Sequence, residues 1–161
     1  MVVLRWVMRI VAGLVVLVAL GFFGARFHDG PLGPIPGGPL VAGDAVAGPV
    51  TDWSFAAAAE EIELQLLSQS RSRTTWFIVK DGKAFIPAAP EFPPGKTWHR
   101  DALRDGRAIL RISGRRYPVT LTKVEDATLT ASVRDVAFQK YPARPTGDVW
   151  LFAVTPRAAG S

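Results

Sequence analysis

The sequence predicts a mainly β domain with short helices, preceded by one N-terminal transmembrane helix. Three observations support this fold class. Residues 10–25 form an uncharged, strongly apolar stretch. The dipeptides Asp81-Gly82 and Ser113-Gly114 each separate two β-rich runs, which is a pattern typical of hairpins. Apolar and polar residues alternate over 61–67, as they do in a half-buried strand.

The N-terminal segment, residues 1–27, is predicted to be a membrane anchor that contacts the lipid bilayer through residues 3–25. The uncharged stretch is slightly shorter than the ~20 residues a span requires, but Arg5 and Arg9 can snorkel towards the headgroups and lengthen the helix. These arginines precede the apolar residues, so the positive-inside rule predicts a single-pass protein of the cell membrane with a cytoplasmic N-terminus and an extracytoplasmic domain. A cleaved signal peptide, cut after residues 19–21, is the alternative. Both interpretations export the domain.

Residues 28–51 are predicted to connect the anchor to the domain. Five prolines and six glycines lie between residues 28 and 50, without helical or strand periodicity. Proline density favours extended backbone. The segment is therefore either a tether or an arm that lies on the domain.

The folded domain is predicted to span residues 52–157, followed by a short tail at 158–161. About 110 residues suffice for one hydrophobic core. Three helices are expected, one capped by Asp52, one after Thr97 that ends at Gly106, and one over 126–141. The predicted strands are 61–67, 74–80, 83–87, 107–112, 115–124 and 148–155. Six strands with two hairpins indicate a compact antiparallel barrel or sandwich.

Several classes of function are disfavoured by composition. The chain contains no cysteine, which excludes disulfides, thiolate metal sites and cysteine nucleophiles. Its two histidines, His28 and His99, are far apart, so no metal site is predicted. No phosphate-binding loop, nucleophile elbow or paired-carboxylate motif is present. The basic region carries no nucleic-acid-binding motif, and export argues against a nucleic-acid partner.

Positive charge is concentrated in residues 71–116, which contain eleven lysines and arginines but four acidic residues. An anionic ligand such as a phosphorylated small molecule, an anionic lipid surface, or plain solvation can each explain this asymmetry. Arg71 and Arg73 lie in a Ser/Arg-rich stretch, which suggests a loop near anionic lipid or a phosphate contact.

The candidate binding residues follow in the same basic segment. Lys96, Trp98, His99 and Arg100 open a predicted helix after a Pro-rich loop. Arg107 and Arg111 lie four residues apart on a predicted strand and so share one face. Guanidinium groups on one face suit a phosphate or a carboxylate. The alternative for the helix start is that Trp98 packs in the core and the basic residues around it are solvated. The alternative for the strand is that Arg107 and Arg111 protect an exposed sheet face or edge.

The order of motifs resembles the split β-barrel of the FMN-binding, pyridoxamine-phosphate-oxidase-like superfamily, with the deazaflavin-dependent nitroreductases as the nearest branch. Four runs carry the resemblance: GKTWHRDAL at 95–103, AILRI at 108–112, GRRYPV at 114–119, and Lys140-Tyr141 before the last strand. The apolar leader followed by GPIPGGPL is similar to membrane-anchored bacterial members. The resemblance spans residues 61–155.

This resemblance implies a six-stranded split barrel, FMN as cofactor, and a homodimer. The residues it would place near a flavin phosphate are Lys96, Trp98, Arg100, Arg107 and Arg111. Asp101 and Asp105-Gly106 depart from the family pattern, and export argues against a deazaflavin. We therefore expect a ligand-binding or interaction module that keeps the barrel without the chemistry. The alternative is an FMN-dependent oxidoreductase of the nitroreductase-like type.

Overall fold

A computed structural model describes residues 2–91, 93–142 and 147–158 of the chain. Met1 and all of the predicted tail except Ala158 lie outside these residues. In chain order the elements are α1 (Val2–Ala25), β1 (Asp44–Ala45), a 3-10 turn (Ser54–Ala56), β2 (Glu61–Leu66), β3 (Ser72–Trp76), β4 (Ile78–Lys80), β5 (Lys83–Ala88), α2 (Trp98–Arg104), β6 (Arg107–Ile112), β7 (Arg115–Lys123), α3 (Ala127–Lys140) and β8 (Trp150–Pro156).

Helix α1 matches the predicted apolar segment. Residues Val3–Ala25 have a mean hydropathy of 2.3 and are long enough to cross a bilayer. Twenty-three residues at 1.5 Å each extend about 35 Å. The side chains are exposed along almost the whole helix, and only Ala25 at its end is buried against the domain. By length and composition alone, a signal sequence meets the same criteria.

The strands form one antiparallel sheet that curls into a half-barrel. Their order is β3-β2-β6-β7-β8-β5-β4, and the short β1 adds to β7 in parallel. The two end strands of this order, β3 and β4, are consecutive in the chain and separated only by Phe77. The antiparallel architecture predicted from the sequence is therefore confirmed.

The predicted number of strands was wrong, because the described residues contain eight strands and not six. The run 74–80 breaks at Phe77, so β3 pairs with β2 while β4 pairs with β5. The Phe77 carbonyl accepts hydrogen bonds from Lys140 Nζ at 2.9 Å and from the Tyr141 hydroxyl at 2.7 Å. Its N–H can donate to the Tyr141 oxygen at 3.0 Å. The Phe77 N–H also donates to the Glu60 carbonyl at 3.2 Å, so this backbone bond and the side chains at and just after the end of α3 replace the strand pairing that Phe77 gives up. The other additional strand, β1, lies in the predicted connector.

Both predicted hairpin turns are present. Asp81 and Gly82 have φ values of 51° and 70°, and Ser113 and Gly114 have values of 49° and 76°. Two consecutive residues with positive φ make the type I′ turn, whose twist matches that of antiparallel strands.

Two helix predictions need correction. The helix expected after Asp52 is a single 3-10 turn, in which the Asp52 carboxylate accepts the Ser54 N–H at 2.8 Å. Gly106 does not terminate α2 in a left-handed conformation, because Asp105 already has extended backbone. A Cβ at Gly106 would overlap the Leu121 carbonyl oxygen, so glycine is required by the close approach of β7.

The hydrophobic core fills the concave side of the sheet. Alternate residues of β2, β5, β6, β7 and β8 point inwards, and Trp53, Phe77 and Trp98 pack among them. A second cluster on the outer side packs α3 through Val133 against β4, β5 and β8. Asp126 caps α3, as its carboxylate accepts the N–H groups of Thr128 and Leu129.

Residues 28–46, here called the strap, lie on the outer face of β2, β3, β6 and β7. Gly37 pairs with Ser72, and the Ser72 hydroxyl donates to the Gly38 carbonyl at 2.5 Å. The Leu40 N–H donates to Gln65 Oε1 at 2.8 Å, which explains why this polar residue of β2 is buried. The strap is an arm on the domain and not a free tether.

Candidate functional site

Cationic side chains from β3 and from the start of α2 meet at one end of the sheet. Arg71 and Arg73 flank the first residue of β3. The Pro-rich loop before α2 brings Lys96, His99 and Arg100 towards them. We call these five residues the basic cluster; Arg73 lies over the ring of Trp98, and Lys96, His99 and Arg100 are within two residues of Trp98 in the chain. Because the two groups are more than twenty residues apart in sequence, only the fold brings them together.

Arg73 is the most buried cation of the cluster. Its guanidinium lies over the Trp98 ring, 5.8 Å from the centroid, and donates to Gln69 Oε1 at 2.6 Å. Its Nε is buried and has no hydrogen-bond partner in the described part of the chain. Burial and the charge of Arg71 lower the pKa of Arg73 to about 10, although Asp101 acts in the opposite direction. Arg73 is thus a desolvated cation with an unused donor.

Lys96 and Arg71 extend the cluster towards solvent. Burial, together with the charge of Arg73, lowers the pKa of Lys96. Arg71 donates to the Pro36 carbonyl of the strap at 3.1 Å, while its buried Nε has no partner among the described residues. The cluster therefore offers donors from both arginines.

His99 lies beneath these cations and is fully buried. Its ring packs edge-on against Trp150, with 5.1 Å between centroids, and neither ring nitrogen has a hydrogen-bond partner in residues 2–91, 93–142 and 147–158. Burial lowers the pKa of His99, and the charges of Lys96, Arg100 and Arg73 lower it further against Asp101. The imidazole is consequently held neutral under a positive potential.

Asp101 is the carboxylate that acts on this cluster, and it is shared among several partners. It accepts from Gln69 Nε2 at 2.6 Å and from Thr97 Oγ1 at 3.1 Å, and it pairs with Arg104 at 3.4 Å. One shared carboxylate cannot neutralise the surrounding cations. The cluster therefore keeps an excess of positive charge.

Arg111 is engaged elsewhere and holds the strap. Its guanidinium forms ion pairs with Glu63 and, at 2.8 Å, with Asp29, and it also donates to the Asp29 carbonyl at 3.1 Å. Burial opposes ionisation of Asp29, but the Val41 N–H and Arg111 outweigh it and lower the pKa of Asp29. Arg116 likewise donates to the Gly43 carbonyl of the strap at 2.9 Å.

Arg107 is separate from both groups. It pairs with Asp105 at 2.9 Å, in contact with solvent. Hydrogen bonds from Arg107 lower the pKa of Asp105 to about 2. Arg107 and Arg111 do share the outer face of β6, as the spacing predicted, yet each has its own carboxylate partners.

The residues predicted from the sequence thus divide into two sets. Lys96, Trp98 and Arg100 come together, with Trp98 packed in the core, whereas Arg107 and Arg111 do not join them. Arg73, for which the sequence suggested a phosphate contact only as one alternative, and His99 were not among the five candidate binding residues. The signal for Arg73 was present in the basic Ser/Arg stretch, but the strand that orients it was not recognised there. Nothing in the local sequence distinguishes His99 from an exposed helix residue.

An open groove of about 490 Å³ lies between the strap and the outer face of β2. Its lining includes Glu61, Glu63 and Arg111, the last already paired with two carboxylates. This groove does not share residues with the basic cluster. Its acidic lining is unsuited to a phosphate.

No protein-family model and no curated protein sequence matches the chain. Among solved structures, the chain is similar to a pyridoxamine 5'-phosphate oxidase-like protein from Listeria innocua. The two share 11% sequence identity with a TM-score of 0.47, over 66% of this chain and 95% of the other. No residue role is transferred from that protein.

Proposed function

We propose that this protein is a membrane-anchored, extracytoplasmic module that binds an anionic, phosphorylated ligand at the basic cluster. The observation that carries the proposal is the buried guanidinium of Arg73, which lies over the Trp98 ring at the start of α2 and whose Nε has no hydrogen-bond partner in the described residues, beside Arg71 and Lys96. Burial and a neighbouring positive charge lower the pKa of Arg73 and of Lys96, and a bound anion would favour the charged forms of both.

The unused donors strengthen this proposal. A buried donor without a partner costs about 1–3 kcal/mol, and the cluster contains such donors at Arg71 Nε and Arg73 Nε. A phosphate oxygen at hydrogen-bonding distance would satisfy them. Each charge-assisted bond contributes about 1.5–3 kcal/mol, so two or three of them give measurable affinity.

The proposed location follows from the N-terminal segment. Arg5 and Arg9 precede the apolar part of α1, and the positive-inside rule then places the domain outside the cytoplasm. The ligand would accordingly be met at the outer surface of the membrane.

An FMN-dependent oxidoreductase is the second candidate function. The side chains of the basic cluster fit the phosphate end of FMN, which would supply hydride transfer when bound. The groove beside β2 and the smaller cavity around Trp53 contain none of the cluster residues, so neither of these two cavities places a flavin ring next to this phosphate site. In this second candidate function, a second copy of the chain would complete the site of the flavin ring. We accordingly propose a homodimer only in connection with this second function.

Isothermal titration of the full-length chain in detergent micelles, with inorganic phosphate and with FMN, tests the proposal. We expect saturable binding that weakens by tenfold or more in Arg73→Gln and Lys96→Gln, because each loses a contact of more than ~1.4 kcal/mol. Arg107→Gln is the matched control, since its ion pair with Asp105 lies outside the cluster. Absence of saturable binding up to about 1 mM of either ligand, which corresponds to ~4 kcal/mol, would refute the proposal.

A further inference from the structure

We infer that the anion bound by the basic cluster is the phosphate of an anionic phospholipid in the same bilayer that holds α1. This inference rests on the proposed anion-binding function and names the chemical class of its ligand. It depends on where the strap places the cluster relative to the end of α1.

Hydrogen bonds connect the end of α1 to the first residue of β3. The Gly38 N–H donates to the His28 carbonyl at 2.8 Å, and the Gly38 carbonyl accepts from the Ser72 hydroxyl at 2.5 Å. The contact at Gly38 is tight, because a Cβ there would overlap the carbonyl oxygens of Arg26 and His28. Ser72 itself lies between Arg71 and Arg73. The strap therefore holds both arginines close to the point where the chain leaves the helix.

The distance involved is slightly greater than the depth of the headgroup layer. Two hydrogen-bonded backbone segments lie roughly 5 Å apart, so two such steps put Ser72 about 10 Å from His28, which follows the end of α1 by three residues. The headgroups on each side of a bilayer occupy about 5–8 Å beyond the hydrocarbon core. Arg71 and Arg73 can thus reach lipid phosphates when α1 spans the membrane.

Exposed apolar side chains occur in the chain segments that lead from α1 to the strap and from β2 to β3. Phe27 at the end of α1, Leu32 of the strap and Leu67, which follows β2, are all exposed. A surface that combines apolar side chains with cations is typical of segments that lie in the membrane interface. The same residues would gain nothing from a soluble ligand.

The connection of the cluster to the membrane anchor also favours a lipid. A lipid phosphate needs no enclosure because it is presented by the membrane. Anchoring in the same bilayer keeps its effective concentration high, and a few contacts then suffice for occupancy.

Hydrogen exchange of the full-length chain in nanodiscs tests the inference. One preparation contains phosphatidylcholine alone and the other contains phosphatidylcholine with phosphatidylglycerol. We expect amides of residues 67–73 to exchange several-fold more slowly in the anionic nanodiscs. The double variant Arg71→Gln/Arg73→Gln should lose this protection, while Arg107→Gln should keep it. The single variant Lys96→Gln, which leaves the residues of β3 unchanged, should also reduce this protection.

A parallel titration separates this inference from the proposed function. Inorganic phosphate is added to the chain in the phosphatidylcholine nanodiscs. Protection of residues 67–73 by inorganic phosphate, without any difference between the two bilayers, would overturn the lipid inference and leave the anion-binding function in place. Equal exchange in both bilayers with no response to phosphate would overturn both. Protection in anionic nanodiscs that persists in the double variant would also overturn the inference.

Discussion

Replacing Arg111 with methionine should destabilise the domain by releasing the strap. The Arg111 side chain is only 11% exposed, and its partners Asp29 and Glu63 are 36% and 29% exposed. Removing one partner of a fully buried ion pair costs about 3–5 kcal/mol. Since both carboxylates here can partly rehydrate, we expect a loss of about 2–3 kcal/mol. Methionine retains the packing of the aliphatic part of the side chain, so the loss reports mainly on the ion pairs.

Thermal unfolding of the full-length chain, followed by circular dichroism, measures this loss. For a domain of this size we expect Tm to fall by about 6–12 °C. Limited proteolysis should also reveal new cleavage within residues 28–46. Arg107→Met is the matched control: it removes the exposed pair with Asp105 from the same strand face and should leave Tm almost unchanged.

The effect should also depend on pH with a definite sign. The pKa of Asp29 is lowered in the folded protein, so its contribution to stability is present above the ordinary value of 3.8 and is lost as pH falls through the folded-state value. The difference between the unmodified chain and Arg111→Met should therefore shrink in acid. Equal Tm shifts for the Arg111 and Arg107 variants, or an unchanged proteolytic pattern in the former, would refute this reasoning.

Three further predictions concern other parts of the molecule. Tyr141→Phe removes the hydroxyl that contacts Phe77 and should lower the free energy of unfolding by about 1–3 kcal/mol. Burial raises the pKa of Tyr141 to about 12, so the stability of the unmodified chain should fall as pH rises from the ordinary pKa of 10.0 to about 12. The Tyr141→Phe variant should lack this pH dependence. Sulfate bound at the basic cluster should raise the pKa of His99. Sulfate affinity, measured by calorimetry, should therefore rise as pH falls below 6.5, the ordinary pKa of histidine. His99→Asn should remove this pH dependence. N-terminal sequencing of membrane-extracted protein should find the apolar segment retained, and a mature chain that starts at Phe22 would refute the anchor.

Several elements could be predicted from interactions between residues that are close together in the sequence. The hairpins at Asp81-Gly82 and Ser113-Gly114 were predictable because a type I′ turn needs two residues that tolerate positive φ. The cap of α3 by Asp126 and the apolar length of α1 are likewise properties of a few neighbouring residues. Each of these features depends on interactions within one turn or one helix.

The strand break at Phe77 and the course of the strap depended on contacts between distant segments. No periodicity marks Phe77, because its backbone is satisfied by Lys140 and Tyr141 from the far end of α3. The partner of Arg111 also depended on a distant segment. The four-residue spacing between Arg107 and Arg111 predicted a shared strand face, but it gave no information about Asp29, which is 82 residues away in the sequence. A side chain's face can be predicted from its strand, whereas its partner depends on how the sheet is ordered.

The candidate site depends partly on local sequence and partly on tertiary contacts. Local sequence placed Lys96, Trp98 and Arg100 together, since all three lie within one turn of the start of α2. Only the tertiary structure brought Arg73 over the Trp98 ring and buried His99 beneath the cations. The physical reason is that like charges are not brought together by local propensity. They converge because Trp98 must be buried in the core, which places the start of α2 next to the Arg73 guanidinium.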